Sequence, residues 1–337
     1  MGRLRQEPFH GNVVITGASA GVGRAVALRF AGAGAGLGLI ARAEDALLDV
    51  KEETEQRGAR AVIAPIDVAD ADAVFAAADA IAADLGPIDI WINDAMVTMF
   101  SPVWQMTPEE FRRVTHVTYL GAVYGTMAAL RHMRPRNRGT IVQIGSALAY
   151  RGIPLQAAYC GAKHALRGFT DSLRTELIHA RSAIALTTVE LPAVNTPQFV
   201  VQRNKLHHQA QPVPPIYTPE LIADAVVWAA RHTPRDMVIG GSTLEALVGE
   251  KLAPGLLDRY LAMTGYDSQQ SDKPNDLDRP NNLYEPVPGD HGAHGPYTSL
   301  AKSRSSQLWL RMHPRMLLIG ASLATGAAFL AGIRKIR

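Results

Sequence analysis

The chain has 337 residues, 47% hydrophobic and 19% charged, enough to bury a full core as one large domain or two small ones. Its net charge of +3, with no long basic run interleaved with aromatics, argues against nucleic acid as a partner. The single cysteine, Cys160, rules out an intramolecular disulfide and fits a reducing compartment, and His207-His208 and His291-x-x-His294 lack companion ligands, so no metal site is expected.

The opening MGRLRQEPFH is polar, and Gln6 stands where an N-myristoylation signal needs Ser or Thr, so this end is expected in the cytosol. Val13-Val14-Ile15 is a β-branched run that leads into Thr16-Gly17-Ala18-Ser19-Ala20-Gly21-Val22-Gly23, and an amphipathic segment follows over residues 24–31. Strand, glycine loop and helix form a phosphate-binding arrangement. Glycines let the backbone approach a pyrophosphate, and the helix start offers unpaired N–H groups.

A strand over residues 37–41 ends just before Arg42. A dinucleotide fold usually carries Asp or Glu there for the ribose 2′-hydroxyl; a cation suits a 2′-phosphate, which favours NADP(H) over NAD(H), unless Arg42 is simply a solvated helix-start residue. Next come a helix over 44–57, a strand over 61–64 with Asp67-Val68 beyond it, a helix over 71–84, and a strand over 88–92 ending in Asn93-Asp94-Ala95-Met96. One long helix is predicted over 108–133. A strand over 140–145 leads to Ser146, and a helix carries Tyr159 and Lys163 to about residue 180. A strand over 184–190, a Pro-rich loop over 192–219, a helix over 219–231 and a strand over 237–239 complete the series. Seven strand signals alternating with helices call for a parallel sheet covered on both faces.

Ligands of such sheets bind outside the carboxyl ends of the strands, and Gly17–Gly23, Arg42, Asp67, Asn93, Ser146 and Pro192 all follow strand ends. Tyr159 and Lys163 stack on one helix face at four-residue spacing, which on its own is common packing. In this company it reads as proton chemistry. The ammonium is expected to pull the phenol's pKa down, and Ser146 to hydrogen-bond a carbonyl or alcohol while Tyr159 moves the proton.

Together these residues resemble the short-chain dehydrogenase/reductase family over about residues 10–250. The resemblance rests on the Thr16-Gly17…Gly21-x-Gly23 loop, on Ser146, and on Tyr159-x-x-x-Lys163. It implies an α/β Rossmann-type doubly wound sheet, a bound nicotinamide dinucleotide, and interconversion of an alcohol and a carbonyl. Carried over by position, Tyr159 is the acid/base, Ser146 orients substrate, and Lys163 also holds the nicotinamide ribose. The loop residues Gly17, Ser19, Ala20, Gly21, Val22 and Gly23 would hold the pyrophosphate. Arg42 would meet the 2′-phosphate, Asp67 and Val68 the adenine side, Asn93 and Ala95 the next strand end, and Pro192 and Thr196 the carboxamide. Thr118 occupies the place of an active-site Asn in the proton relay, Met96 that of a glycine, and Ala193 that of another. These departures leave a weakened, cofactor-binding scaffold or sensor as the alternative to an enzyme. The family's habit of pairing through its long helices implies a homodimer or homotetramer.

Residues 251–306 read as an extended arm with one apolar anchor around Leu283 and Tyr284, and 307–337 as a hydrophobic-helix region. Residues 316–333 carry no charge, lie between arginine-rich flanks, and would span about 27 Å as a helix. A membrane anchor or an oligomer-packing helix both fit. An anchor would keep residues 1–300 on the cytosolic side and suit an apolar substrate.

Overall fold

The structure, a computed structural model, describes residues 8–313. Seven parallel strands form the central sheet: β1 Asn12–Thr16, β2 Gly36–Ala41, β3 Arg60–Pro65, β4 Ile88–Asn93, β5 Thr140–Ser146, β6 Ala185–Leu191 and β7 Asp236–Val238. Their order is β7-β6-β5-β4-β1-β2-β3, so the chain reverses its winding direction between β1 and β4 and opens a crevice there. The helices longer than one turn are α1 Gly21–Ala31, α2 Glu44–Glu55, α3 Ala71–Leu85, α4 Pro108–Thr115, α5 Gly121–Met133, α6 Ala157–His179, α7 Pro219–His232, α8 Gly241–Leu252, α9 Pro254–Thr264 and α10 Ser306–Met312.

The strands are mostly apolar on both sides because both faces of the sheet are covered. Along β1, Val13 and Ile15 enter one core with Phe30, Leu47 and Val226, whereas Val14 enters the other with Ile81, Trp91 and Ala128. The seven expected strands are all present, each within two residues of its predicted bounds.

Three expectations need correction. The helix predicted over 108–133 is divided by a π-helical turn, His116–Leu120, between α4 and α5. Within that turn the Thr118 hydroxyl donates to Val97 O (2.7 Å) and accepts from Val97 N (3.1 Å), so the irregular turn is fastened to the segment after β4. The arm expected from residue 251 begins instead as helix: α8 and α9 follow β7 directly, and only beyond Thr264 does the chain become extended. The loop over 192–219 also carries structure, since Ile216–Tyr217 pairs with Ala193–Val194 on one side and with Ala301–Lys302 on the other in a small parallel sheet. The segment 316–333 lies outside the described residues, and among those described no helix is long and apolar enough to cross a membrane.

Asn93 is placed in the core instead of on the cofactor wall. Its Oδ1 accepts from Trp91 Nε1 (2.8 Å) and its Nδ2 donates to Thr126 Oγ1 (3.0 Å) and Gln143 Oε1 (3.1 Å), tying β4 to β5 and α5. Asn93→Ala would leave the Trp91 indole, Thr126 and Gln143 short of partners in a dry core. We expect a loss of about 2–4 kcal/mol in urea unfolding; a loss within experimental error would show that the network does not hold the strands.

Candidate active site

The glycine loop turns tightly between β1 and α1. A Cβ on Gly23 would stand 2.2 Å from Gly17 O, so only glycine lets the helix start pack against the loop. Helix α1 has no side-chain cap at Ala20, which leaves its first N–H groups to other acceptors. Thr16 Oγ1 accepts from Asp94 N (3.1 Å) and Ala95 N (3.2 Å) and so fastens the loop after β4 to the end of β1.

A cleft of about 490 Å³ runs along this edge of the sheet. Gly17, Ser19, Ala20, Gly21, Val22, Arg42, Asp67, Val68, Ala95, Ser146, Tyr159, Lys163, Pro192 and Thr196 all line it. Of the residues expected at the site, Gly23 lies just behind the loop surface, while Asn93 and Thr118 stand away from the cleft wall. Thr118 is 1% exposed, with its hydroxyl engaged by Val97, so the water-holding relay role expected of it is not what its contacts provide.

Helix α6 delivers the reacting pair. Tyr159 and Lys163 are one turn apart, and the Lys163 Nζ lies 5.6 Å from the centre of the Tyr159 ring. The ammonium is 3% exposed and donates to Ile144 O at 2.6 Å. At the end of β5 the Ser146 Oγ accepts from Leu148 N (3.1 Å), which turns the chain so that its hydroxyl sits beside the Tyr159 phenol.

Two carboxylates that the motif does not include flank this pair. Asp94 opens into the cleft and accepts from the Gly23 N–H. Glu190, 1% exposed near the end of β6, accepts from the Tyr150 hydroxyl at 3.1 Å, while its other oxygen has no partner. Glu190 also receives the Ser146 N–H, and a Cβ on Gly145 would meet its carboxylate at 2.1 Å, so glycine in β5 is what admits it. A visible sequence signal for Glu190 exists: it is the one charge in the otherwise uncharged strand ALTTVEL.

Electrostatics follow from this burial. Desolvation lowers Lys163 to about 8, against the opposing pull of Asp94 and Glu190. Burial raises Asp94 and Glu190 each to about 7, with Lys163 opposing in both cases. The Tyr159 phenol is pushed up by burial, only partly offset by the Ser146 hydrogen bond, and Cys160, Asp94 and Glu190 push it further. The expected lowering by Lys163 is thus outweighed, chiefly because burial strips the phenolate of water, with Cys160 and the two carboxylates adding to the rise.

The fold is a dinucleotide-binding oxidoreductase fold, and the glycine cradle, strand-edge cleft and Ser-Tyr-Lys set all fit a nicotinamide dinucleotide. Residues 11–206 match the model of the short chain dehydrogenase family, and the chain belongs to that family. It is an NAD(P)-dependent short-chain dehydrogenase/reductase. It is 30% identical over 328 residues to an uncharacterized oxidoreductase, YxnA, of Bacillus subtilis, covering 96% of this chain and 90% of that one. A fatty acyl-CoA reductase of Acinetobacter baylyi is 32% identical over 235 residues, 69% of this chain and 77% of its own. Among solved structures, a short-chain dehydrogenase from Streptomyces avermitilis superposes with a TM-score of 0.63 at 27% identity, over 76% of this chain and all of that one.

Stability should carry the mark of the buried carboxylates. Glu190 and Asp94 titrate at about 7 when folded but near their ordinary values, about 4, when unfolded. The folded chain therefore binds more protons between about pH 4 and 7, so stability falls as pH rises through that window. The Lys163 cost stays nearly constant below its folded pKa of about 8. Glu190→Gln removes one titration, and the Tm difference between pH 5 and pH 7.5 should shrink by roughly 2–5 °C. An unaltered difference in thermal unfolding would place Glu190 outside the coupled cluster.

Proposed function

We propose that this oxidoreductase uses NADP(H), works at a membrane surface, and interconverts an apolar carbonyl compound and its alcohol. The observation that carries the reading is the junction of Ser146, Tyr159 and Lys163 with a cleft wall built from Met96, Val97, Leu148, Ile153, Phe199 and Leu261. Those side chains offer apolar surface to a substrate, although Gln156, Gln198, Gln211, Thr243 and Gln269 also line the cleft and can hydrogen-bond one.

A bound dinucleotide supplies or accepts the hydride. The protein's own part is proton handling and placement. Ser146 donates to the carbonyl oxygen and fixes its direction, and Tyr159 gives that oxygen its proton on reduction or takes it on oxidation. Since burial keeps Tyr159 protonated at neutral pH, its resting state is the donor form, which suits carbonyl reduction. Lys163 stands ready to resupply the phenol, and Asp94, open to the cleft and acting on Lys163, leads the proton path outward.

The preference for NADP(H) rests on Arg42 at the end of β2. Burial and the neighbouring charge of Arg113 both disfavour its cationic form, so an added phosphate dianion there would relieve two crowded guanidinium groups. Arg113 is itself held by Asp67 at 2.5 Å. The apolar substrate is supported by the relative named as a fatty acyl-CoA reductase and by α8 and α9, where Leu244, Val248, Leu252, Leu256, Tyr260 and Met263 are exposed. Leu261 and Thr243 of the same helices line the cleft, so this apolar face adjoins the substrate end. Together with the uncharged segment 316–333 it would bring the mouth of the cleft to a lipid surface.

Tyr159→Phe is expected to lower reduction of long-chain aldehydes at least about 10²-fold while NADPH still binds, as read by nicotinamide absorbance and by fluorescence titration. NADPH binding in the wild type without consumption across a broad carbonyl panel would favour the scaffold reading instead. Arg42→Ala should weaken NADPH at least roughly 10-fold more than NADH; equal losses for both would withdraw the assignment to the 2′-phosphate.

A further inference from the structure

Residues 281–297 cross the carboxyl edge of the sheet and cover the dinucleotide cleft along its length. At the adenosine end, Arg42 donates to Asn282 O and Tyr284 O, both at 2.6 Å, and Arg113 Nε donates to Leu283 O at 2.8 Å. The Leu283 side chain is 0% exposed and belongs to the core cluster of Val68 and Val117. Over the glycine loop, Gly21 N donates to Gly292 O (3.0 Å), and Asp290 pairs with Arg24 of α1. Toward the nicotinamide end, Gly295 N donates to Asn195 O (3.1 Å) and Tyr297 N to Asn195 Oδ1 (2.9 Å), beside Thr196. Asn282, Pro286, Val287, Gly289 and His291 face the cleft from this side.

We propose that this arm is a wall of the cofactor site: the dinucleotide is held between the glycine loop and residues 282–292, and Asp290 with Arg24 forms the latch that must open for exchange. The inference rests on the dinucleotide-binding reading and adds a part of the site that the glycine loop does not supply. Its anchors differ in strength. The Leu283 end is fixed by a buried side chain and three bonds to guanidinium groups, so it stays put. The 289–292 end is fixed by one backbone bond and one ion pair whose Asp290 side chain is 46% exposed.

The latch is also built to release without leaving a bare charge inside. Arg24 is 3% exposed, and a buried guanidinium without a partner would be costly. A second carboxylate, Glu53, meets Arg24 at 2.7 Å, so the arginine stays paired when Asp290 departs. Gly21 N–H, freed from Gly292 O, then points from the helix start into a site that seeks phosphate.

The test uses the full chain, with NADPH and NADH as probes. Hydrogen exchange of the amides over residues 289–292 is measured with and without each dinucleotide, and release is timed by stopped-flow chase for wild type, Asp290→Ala and Glu53→Gln. Bound dinucleotide should slow exchange of these amides, Asp290→Ala should speed release roughly three- to tenfold, and Glu53→Gln, which keeps the latch but removes the partner Arg24 retains on opening, should release no faster than wild type. Binding with unchanged arm exchange and an unchanged release rate in Asp290→Ala would overturn the wall and latch while leaving the oxidoreductase reading intact. Faster release in both variants would trace the effect to Arg24 and α1 and overturn the latch. Failure of wild type to bind either dinucleotide would overturn both readings.

Discussion

An ammonium cannot be enclosed in a protein core unless charge or hydrogen bonds replace the water it loses, and the architecture of this site answers to that requirement at Lys163. The replacement comes from three strands at once. β5 gives the Ile144 carbonyl, the loop after β4 gives Asp94, and β6 gives Glu190. All three sit at the carboxyl edge because a parallel sheet ends its strands on one side, and helix α6 enters from that side. Gly145 follows from the same need, since any side chain there would displace Glu190.

The two carboxylates do more than neutralise a lysine. Each is raised to about 7 and Lys163 is lowered to about 8, so the charge of the cluster changes close to neutral pH. Of the three, Asp94 lines the cleft and Glu190 is closed off. The two differ in access: Glu190 is held by the Tyr150 hydroxyl in the interior, whereas Asp94 faces the cleft. The relay place that Thr118 holds in sequence is filled structurally by a fastening of the π-helical turn.

What could be read from the chain was whatever repeats locally. Strands covered by helices on both faces appear as short, mostly apolar runs, the glycine loop needs adjacent residues only, and Tyr159 and Lys163 share a turn of helix. What escaped depends on distance or on irregularity. Arg42 meets its partners across 240 and 242 positions, and Arg24 meets Asp290 across 266, so no local pattern marks them. The π-helical turn keeps the apolar periodicity of an ordinary helix on either side, so residues 108–133 read as one helix. Helices α8 and α9 bury almost nothing, and without a core-facing stripe they carried little that distinguished them from an arm. Asn93 and Asp94 are neighbours with opposite fates because strand geometry sends one into the core and lets the other face the crevice.

The cleft has two differently built coverings, and that difference bears on how the site is used. Over the cofactor run, the arm lies across main-chain donors and arginines, contacts that a phosphate-bearing ligand would also seek. Over the substrate run, the cover comes from Pro212, Val213 and Leu261, which have no charge to compete for. Anionic and apolar ligands therefore meet separate barriers, one sensitive to salt and the other to hydrophobic burial. If the arm is the latch proposed above, exchange beneath the apolar lip does not require the Arg24–Asp290 pair to open. Exposed apolar side chains of α8 and α9 adjoin that lip, whereas the arm over the glycine loop is fastened by the half-exposed carboxylate of Asp290.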